Sequence, residues 1–208
     1  MVMEAYDHAD FRTAVNGADL VTPDGMPLVW TLRCKGIHGQ QRVYGPTLML
    51  EVLRAAERAG VAVGFLGSTA EIRQAMLARF AVEFPRLRVC QLPEMPFGLQ
   101  SEEQDEALTA QIEATGVRIL FVALGCPAQE RWIAAHRGRI QAVMLGVGAA
   151  FAFHAGVVRQ APAWIQRLGL EWLFRLTQEP GRLWKRYLKH NPRFMILEAV
   201  EIIRDKMK

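Results

Sequence analysis

Three short apolar runs recur along the chain, at 60–67 (GVAVGFLG), 117–124 (VRILFVAL) and 142–147 (AVMLGV), and segments of helical length stand between them. A strand without polar alternation has to be covered on both faces. Strands that alternate with helices of about ten to fifteen residues build a parallel sheet. The spacing predicts helices over 10–16, 46–59, 102–114 and 128–136, and another from after Ser68-Thr69 to about Phe84, where Pro85 stops it. Residues 87–92 read as one more strand and 19–22 as a short strand near the start. The expected fold is α/β: a Rossmann-like parallel sheet with helices on both faces, followed by a helical C-terminal appendage. The core spans 1–158 and the appendage 159–208.

Charge marks the same division. Residues 159–208 carry eleven Lys/Arg and five Asp/Glu, against fourteen and sixteen in 1–158, so the net +4 belongs to the tail. There Arg182, Lys185 and Arg186 share helical segments with bulky apolar residues, and Trp164, Leu168, Trp172 and Leu176 fall near one helical face. A basic rim with interfacial aromatics suits an anionic membrane surface. The same stripe also suits packing onto the α/β body, or subunit contacts that would make a homo-oligomer. Nucleic acid is the poorer partner, because the bases alternate with large apolar side chains and no reading motif occurs. No run approaches the roughly 18 apolar residues of a membrane span. The N-terminus, with Glu4 and Asp7, lacks the basic region of a signal peptide. Cys34, Cys90 and Cys126 have no metal-ligand spacing, which fits a reducing compartment. A cytoplasmic protein, peripheral on the inner face of the cell membrane, is expected.

In open α/β sheets ligands lie beyond the carboxyl ends of the strands. The segments there are Pro23-Asp24-Gly25, Gly67-Ser68-Thr69, residues 125–130 and residues 146–150. Neither GxGxxG nor GxxxxGK[ST] is present, which argues against a nicotinamide enzyme and a P-loop protein. Gly125, Gly146 and Gly148 still allow close approach of a phosphate, with helix N-termini behind them. Asp24 fits two roles: a turn residue that accepts backbone N–H bonds, or a carboxylate base. Arg42, beside the Gly45 turn, is either a solvated surface residue or a guanidinium fork for phosphate oxygens. Gln129 can donate and accept toward uracil, ribose or sugar hydroxyls, while Glu130 suits the first turn of a helix for its dipole alone. His154 is open between a hydrogen bond to substrate and a structural role.

Five stretches taken in order resemble the WecG/TagA/CpsF family of bacterial glycosyltransferases: NGADLVTPDGMPLVW (16–30), RVYG (42–45), GCPAQERW (125–132), GVGAAFAFHAG (146–156) and RQAPAWIQRLGLEWLFRLTQEPGRLWKRY (159–187). The last, with Arg-x-Ala-Pro, Gly-Leu-Glu-Trp and Gln-Glu-Pro, is the most specific, and the likeness covers nearly the whole chain. It implies inverting transfer of a sugar from a UDP-sugar donor to a polyprenyl-diphosphate-linked sugar acceptor, in the synthesis of cell-surface polysaccharide. The family lacks the metal-binding DxD motif, as this chain does, so neither metal nor cofactor is expected. The resemblance makes Asp24 the catalytic base and Arg42 the second catalytic residue, a guanidinium fork for the departing UDP or a substrate diphosphate. It assigns substrate contacts to Thr22, Gly25, Gly45, Gly125, Gln129, Glu130, Gly146, Gly148 and His154. Membrane or acceptor contacts go to Trp164, Trp172, Arg182, Lys185 and Arg186. Family members generally carry a further N-terminal strand-helix portion, and commonly Asp where this chain has Thr47 and Ala152. These departures set the alternative expectation, a catalytically impaired relative that binds lipid-linked sugar or a partner protein.

Overall fold

The computed structural model describes residues 1–95 and 101–207, except for the side chains of Arg182, Arg186, Asp205 and Lys206. The elements run α1 (Val2–Asp7), α2 (Ala9–Asn16), α3 (Met26–Cys34), α4 (Gly45–Ala59), β1 (Val63–Gly67), α5 (Ala70–Glu83), α6 (Glu102–Ala114) and β2 (Ile119–Ala123). They continue with α7 (Ala128–His136), β3 (Val143–Gly146), α8 (Ala150–His154), α9 (Ala163–Arg167), α10 (Glu171–Gln178) and α11 (Pro180–Lys206). Two compact units result. One comprises Met1–Ala9, Asp19–Tyr44 and Arg159–Lys208; the other comprises Asp10–Ala18 and Gly45–Val158.

The second unit holds the sheet, three parallel strands in the order β1-β2-β3. Val63 pairs with Ile119 and Phe65 with Phe121, so successive residues of each strand point to opposite faces in step. Val63, Phe65, Phe121 and Ala123 pack with Met49 and Leu53 of α4, Met76 and Phe80 of α5, and Phe151 of α8. Leu66, Leu120 and Val122 pack on the other face with Leu108 and Ile112 of α6 and with Trp132 and Ile133 of α7. Helices therefore cover both faces of β1 and β2, which is why those strands read as continuous apolar runs, while β3 leaves Val143 exposed. Phe65 stacks on Phe121 with ring centroids 5.5 Å apart, an aromatic cross-strand pair that fixes the register. The start of α6 is equally local in origin: Ser101 accepts from the Gln104 N–H, and the Gln104 side chain accepts from the Ser101 N–H.

Two expected strands are corrected. Residues 19–22 form none, because Leu20 and Val21 stay exposed with no sheet to cover them. Residues 87–92 contribute only a parallel bridge from Val89 to Val63. Pro93 follows at once and has no N–H with which to extend a ladder.

The first unit is helical. Its α3 begins directly after Gly25, with a proline in the first turn, where a missing N–H costs nothing. In the tail, the stripe from Trp164 to Leu176 does not lie on one helix. Gly169, at φ +69°, ends α9 and turns the chain into α10. Gly169 also lies against α3, and a Cβ there would come within 2.8 Å of Trp30 Cη2. Farther along, Lys35 pairs with Glu198 and Glu201 of α11, and Arg193 of α11 pairs with Asp7 of α1. Among the described residues, no helix is long and apolar enough to cross a membrane.

Candidate active site

Asp24 and Arg42 meet in the helical unit. The Val43 N–H donates to the Pro23 carbonyl at 2.9 Å, which lays the segment around Arg42 beside the Pro23-Asp24-Gly25 loop. Arg42 Nε donates to the Asp24 backbone carbonyl, and Nη2 donates to Asp24 Oδ1 at 3.1 Å. Thr22 and Gly25 flank this contact in sequence, Gly25 as the N-cap of α3.

The tail supplies partners that sequence reading did not place in a site. Arg42 Nη2 also donates to Glu171 Oε2 at 2.6 Å, and Nη1 donates to Gln166 Oε1 at 3.2 Å. Tyr44 lies under the guanidinium, whose carbon is 4.1 Å from the ring centre. All three guanidinium nitrogens are engaged by protein acceptors, so the fork expected to face phosphate oxygens faces Asp24, Gln166 and Glu171. The only sequence signal for Glu171 was its place in Gly-Leu-Glu-Trp. Its partner stands 129 residues away, and no local spacing encodes such a pair.

Burial separates the two carboxylates. The Glu171 side chain is 14% exposed and that of Arg42 16%, whereas Asp24 keeps 61% of its side-chain surface open. Loss of surrounding water pushes the Asp24 carboxyl above the ordinary carboxylate range; Arg42 opposes that rise and Glu171 adds to it. The open surface tempers the first cause, because water still reaches one side of the group. Partial burial works against charge on Arg42, but the Glu171 and Asp24 carboxylates outweigh it and hold the guanidinium ionised. Burial, and then the negative charge of Glu171, raise the Tyr44 phenol, which stays neutral. The result is a carboxylate held from one side by a cation and open on the other, an arrangement able to take a proton from a hydroxyl.

Gly45, Gly125, Gly146, Gly148 and Gln129 belong to the sheet unit. Gly125 lies just past β2, and its carbonyl accepts from the Gln129 N–H at 2.9 Å as α7 begins. The Gln129 side chain turns inward: Oε1 accepts from the Gly148 N–H at 3.0 Å, and Nε2 donates to Glu130 Oε1 at 2.9 Å. A Cβ at Gly146 would stand 3.0 Å from Gln129 Nε2, so the missing side chain at that position makes room for the amide. Gln129 thus braces the loop after β3, with its amide turned to the Gly148 N–H and to Glu130. Glu130 Oε2 is buried without a hydrogen-bond partner among the described residues. Gly45 opens α4, with the Val147 carbonyl 3.5 Å from where its Cβ would be. His154 lies in the same unit. It is buried in the apolar cluster against Phe80, its Nε2 pairs with the Pro46 carbonyl at 3.0 Å, and burial lowers its pKa.

Of the residues assigned to a membrane or acceptor contact, Trp164 is 62% exposed and Trp184 beside them 46%. Trp172 packs edge-on against Tyr187, and Lys185 sits over the Trp184 ring. The side chains of Arg182 and Arg186 lie outside the described residues. Among the described residues, no three His, Cys, Asp or Glu side chains converge as a metal site requires.

A helix-covered parallel sheet with a carboxylate–guanidinium centre fits an enzyme of group transfer, and comparison with known proteins gives the class. The glycosyl transferase WecG/TagA/CpsF family matches residues 1–208. The chain is similar to the N-acetylglucosaminyldiphosphoundecaprenol N-acetyl-beta-D-mannosaminyltransferase of Bacillus subtilis (strain 168), with 30% identity over 181 residues, covering 86% of this chain and 68% of that one. The protein of the same name from Bacillus spizizenii (strain ATCC 23059 / NRRL B-14472 / W23) is 31% identical over 186 residues, 89% of this chain and 70% of its own. The chain belongs to the WecG/TagA/CpsF family of glycosyltransferases.

Proposed function

We propose that the protein transfers a sugar from a UDP-sugar to a saccharide linked to polyprenyl diphosphate, with inversion and without a metal, in building cell-surface polysaccharide. The observation that carries this reading is the Asp24 carboxylate, held by Arg42 on one oxygen and exposed on its other side. In the reaction Asp24 accepts the proton of the acceptor hydroxyl as that oxygen bonds to the anomeric carbon. The bond from the anomeric carbon to the diphosphate oxygen breaks on the opposite face, and UDP leaves with the electron pair. Attack opposite to departure inverts the centre. The relatives' names describe transfer of N-acetylmannosamine to N-acetylglucosaminyl-diphosphoundecaprenol, which supports the same acceptor class here.

The acceptor's lipid anchors the reaction to a bilayer. The helical unit exposes Trp164, Leu168, Trp184 and Leu188 in a tail of net positive charge, which supports docking on the inner leaflet. The test is incubation with UDP-N-acetylmannosamine and a short-chain GlcNAc-diphosphate-lipid in EDTA, with the product's anomeric configuration read by NMR. A β-linked disaccharide from the α-linked donor is expected. A retained configuration, or dependence on added Mg²⁺ or Mn²⁺, would overturn the mechanism.

A further inference from the structure

We propose that Glu171 is a positioning residue of sugar transfer: it locks the Arg42 guanidinium in the orientation from which Arg42 holds both the backbone carbonyl and the carboxylate of Asp24. The proposal rests on Asp24 being the base, and adds a residue that acts on it through Arg42.

Arg42 Nη2 donates to two carboxylates, to Asp24 Oδ1 at 3.1 Å and to Glu171 Oε2 at 2.6 Å. The shorter bond goes to the more buried partner, where solvent screens charge less, so Glu171 is the firmer tether and Asp24 the looser one. A long arginine side chain loses considerable rotamer freedom when fixed. Gln166, which is neutral, and Asp24, which is exposed, leave Glu171 as the main group that restrains it. Glu171 is itself well seated. It is the first residue of α10, where the helix dipole favours a carboxylate, and it follows Gly169, which packs on Trp30 and Met26 of α3. Gln166 is fixed as well, through its Nε2 bond to the Ala161 carbonyl at 2.7 Å. Two residues of the tail's most specific motif thus converge on the side chain that orients the base.

An ion pair that only stabilised the fold would leave the pH profile of the reaction alone. The charged groups facing Asp24 are Arg42 from the neighbouring segment and Glu171 and Arg175 from α10, with Tyr44 beneath Arg42. Removing the negative charge of Glu171 removes an upward push on Asp24, so the acid limb of kcat/KM moves to lower pH.

The experiment compares Glu171→Gln and Glu171→Asp in the wild-type and Asp24→Asn backgrounds. Steady-state kinetics, pH profiles and thermal melts are recorded for each. Loosening the base's support should cost E171Q on the order of 10- to 100-fold in kcat, with donor KM little changed and the acid limb shifted down. E171D, which keeps the charge on a shorter arm, should recover part of the rate, and it serves as the informative variant if E171Q fails to fold. In the D24N background neither change should lower the rate further. If E171Q lowers D24N by the same factor as wild type, or changes KM alone, Glu171 does not act through Asp24 and the proposal fails. A D24N enzyme with wild-type turnover would instead refute the assignment of the base, and the proposal would fall with it.

Discussion

Replacing Gly169 with alanine should damage the site from a distance, through the turn that delivers Glu171. Gly169 has φ +69°, a left-handed conformation that costs an L-residue roughly 1–2 kcal/mol. The new Cβ would also meet Trp30 Cη2 at 2.8 Å and Met26 Cβ at 3.2 Å, and Trp30 Cζ3 at 3.4 Å. Overpacking of this kind typically costs about 1–3 kcal/mol, so the expected total is about 2–5 kcal/mol. Any relief gained by moving the turn displaces Glu171, two residues on, and loosens Arg42. Urea denaturation measures the stability, and transfer kinetics measure the rate. Trp30→Phe separates the two contributions, because phenylalanine lacks the atoms that clash. In the double variant the steric part should largely vanish, leaving the conformational cost of about 1–2 kcal/mol. A G169A protein within about 0.5 kcal/mol of wild type, the range usual for inert surface changes, would refute the reasoning. So would G169A and W30F effects that simply add.

The neutral form of His154 is favoured in the folded protein, so its contribution to stability is complete above its unfolded pKa of 6.5 and is lost as pH falls toward its lower folded value. Melts of His154→Gln should therefore lose part of the acid-side decline below about pH 6.5, and an unchanged slope would remove His154 as its source. Gly146→Ala should dislodge Gln129 from the Gly148 N–H and raise the donor KM; a KM equal to wild type would mean that the loop after β3 tolerates the change. Reversing Arg182, Lys185 and Arg186 to Glu should release the protein from acidic liposomes, since each basic group near such a surface adds roughly 1 kcal/mol. Flotation equal to wild type would remove this cluster as the anchor.

Strands β1 and β2 were legible because they are buried on both faces, which leaves an apolar signature in the sequence, while the edge strand β3 is as apolar although Val143 stays exposed. The bounds expected for α6 and α7, 102–114 and 128–136, agree with the structure, the first because Ser101 and Gln104 cap it locally. The apolar pair Leu20-Val21 misled because β-propensity reports fit to a neighbouring strand, and both residues stay exposed with no strand paired to them among the described residues. Helix α3 went unread since Pro27 suggests a break, although proline is welcome in a first turn. Asp24 and Arg42 could be chosen as candidates from motif resemblance, but their contact could not. The roles of Glu171 and Gln166 were hidden for the same reason: they depend on the tail meeting a loop more than a hundred residues earlier in the chain. The two roles left open for His154 could not be separated in the sequence, because nothing local shows that Phe80 and Pro46 enclose it.

Turnover by Asp24→Asn, measured beside UDP binding by titration calorimetry, tests the role of Asp24 most directly. Asparagine keeps the shape of the side chain and still lets Arg42 donate to one oxygen, but it cannot take up a proton from the acceptor hydroxyl. The expected result is a loss of at least about 10²-fold in kcat, the usual scale of general-base catalysis, with nucleotide affinity retained. Turnover near wild type would contradict it and leave Asp24 as the turn residue that Pro-Asp-Gly also describes.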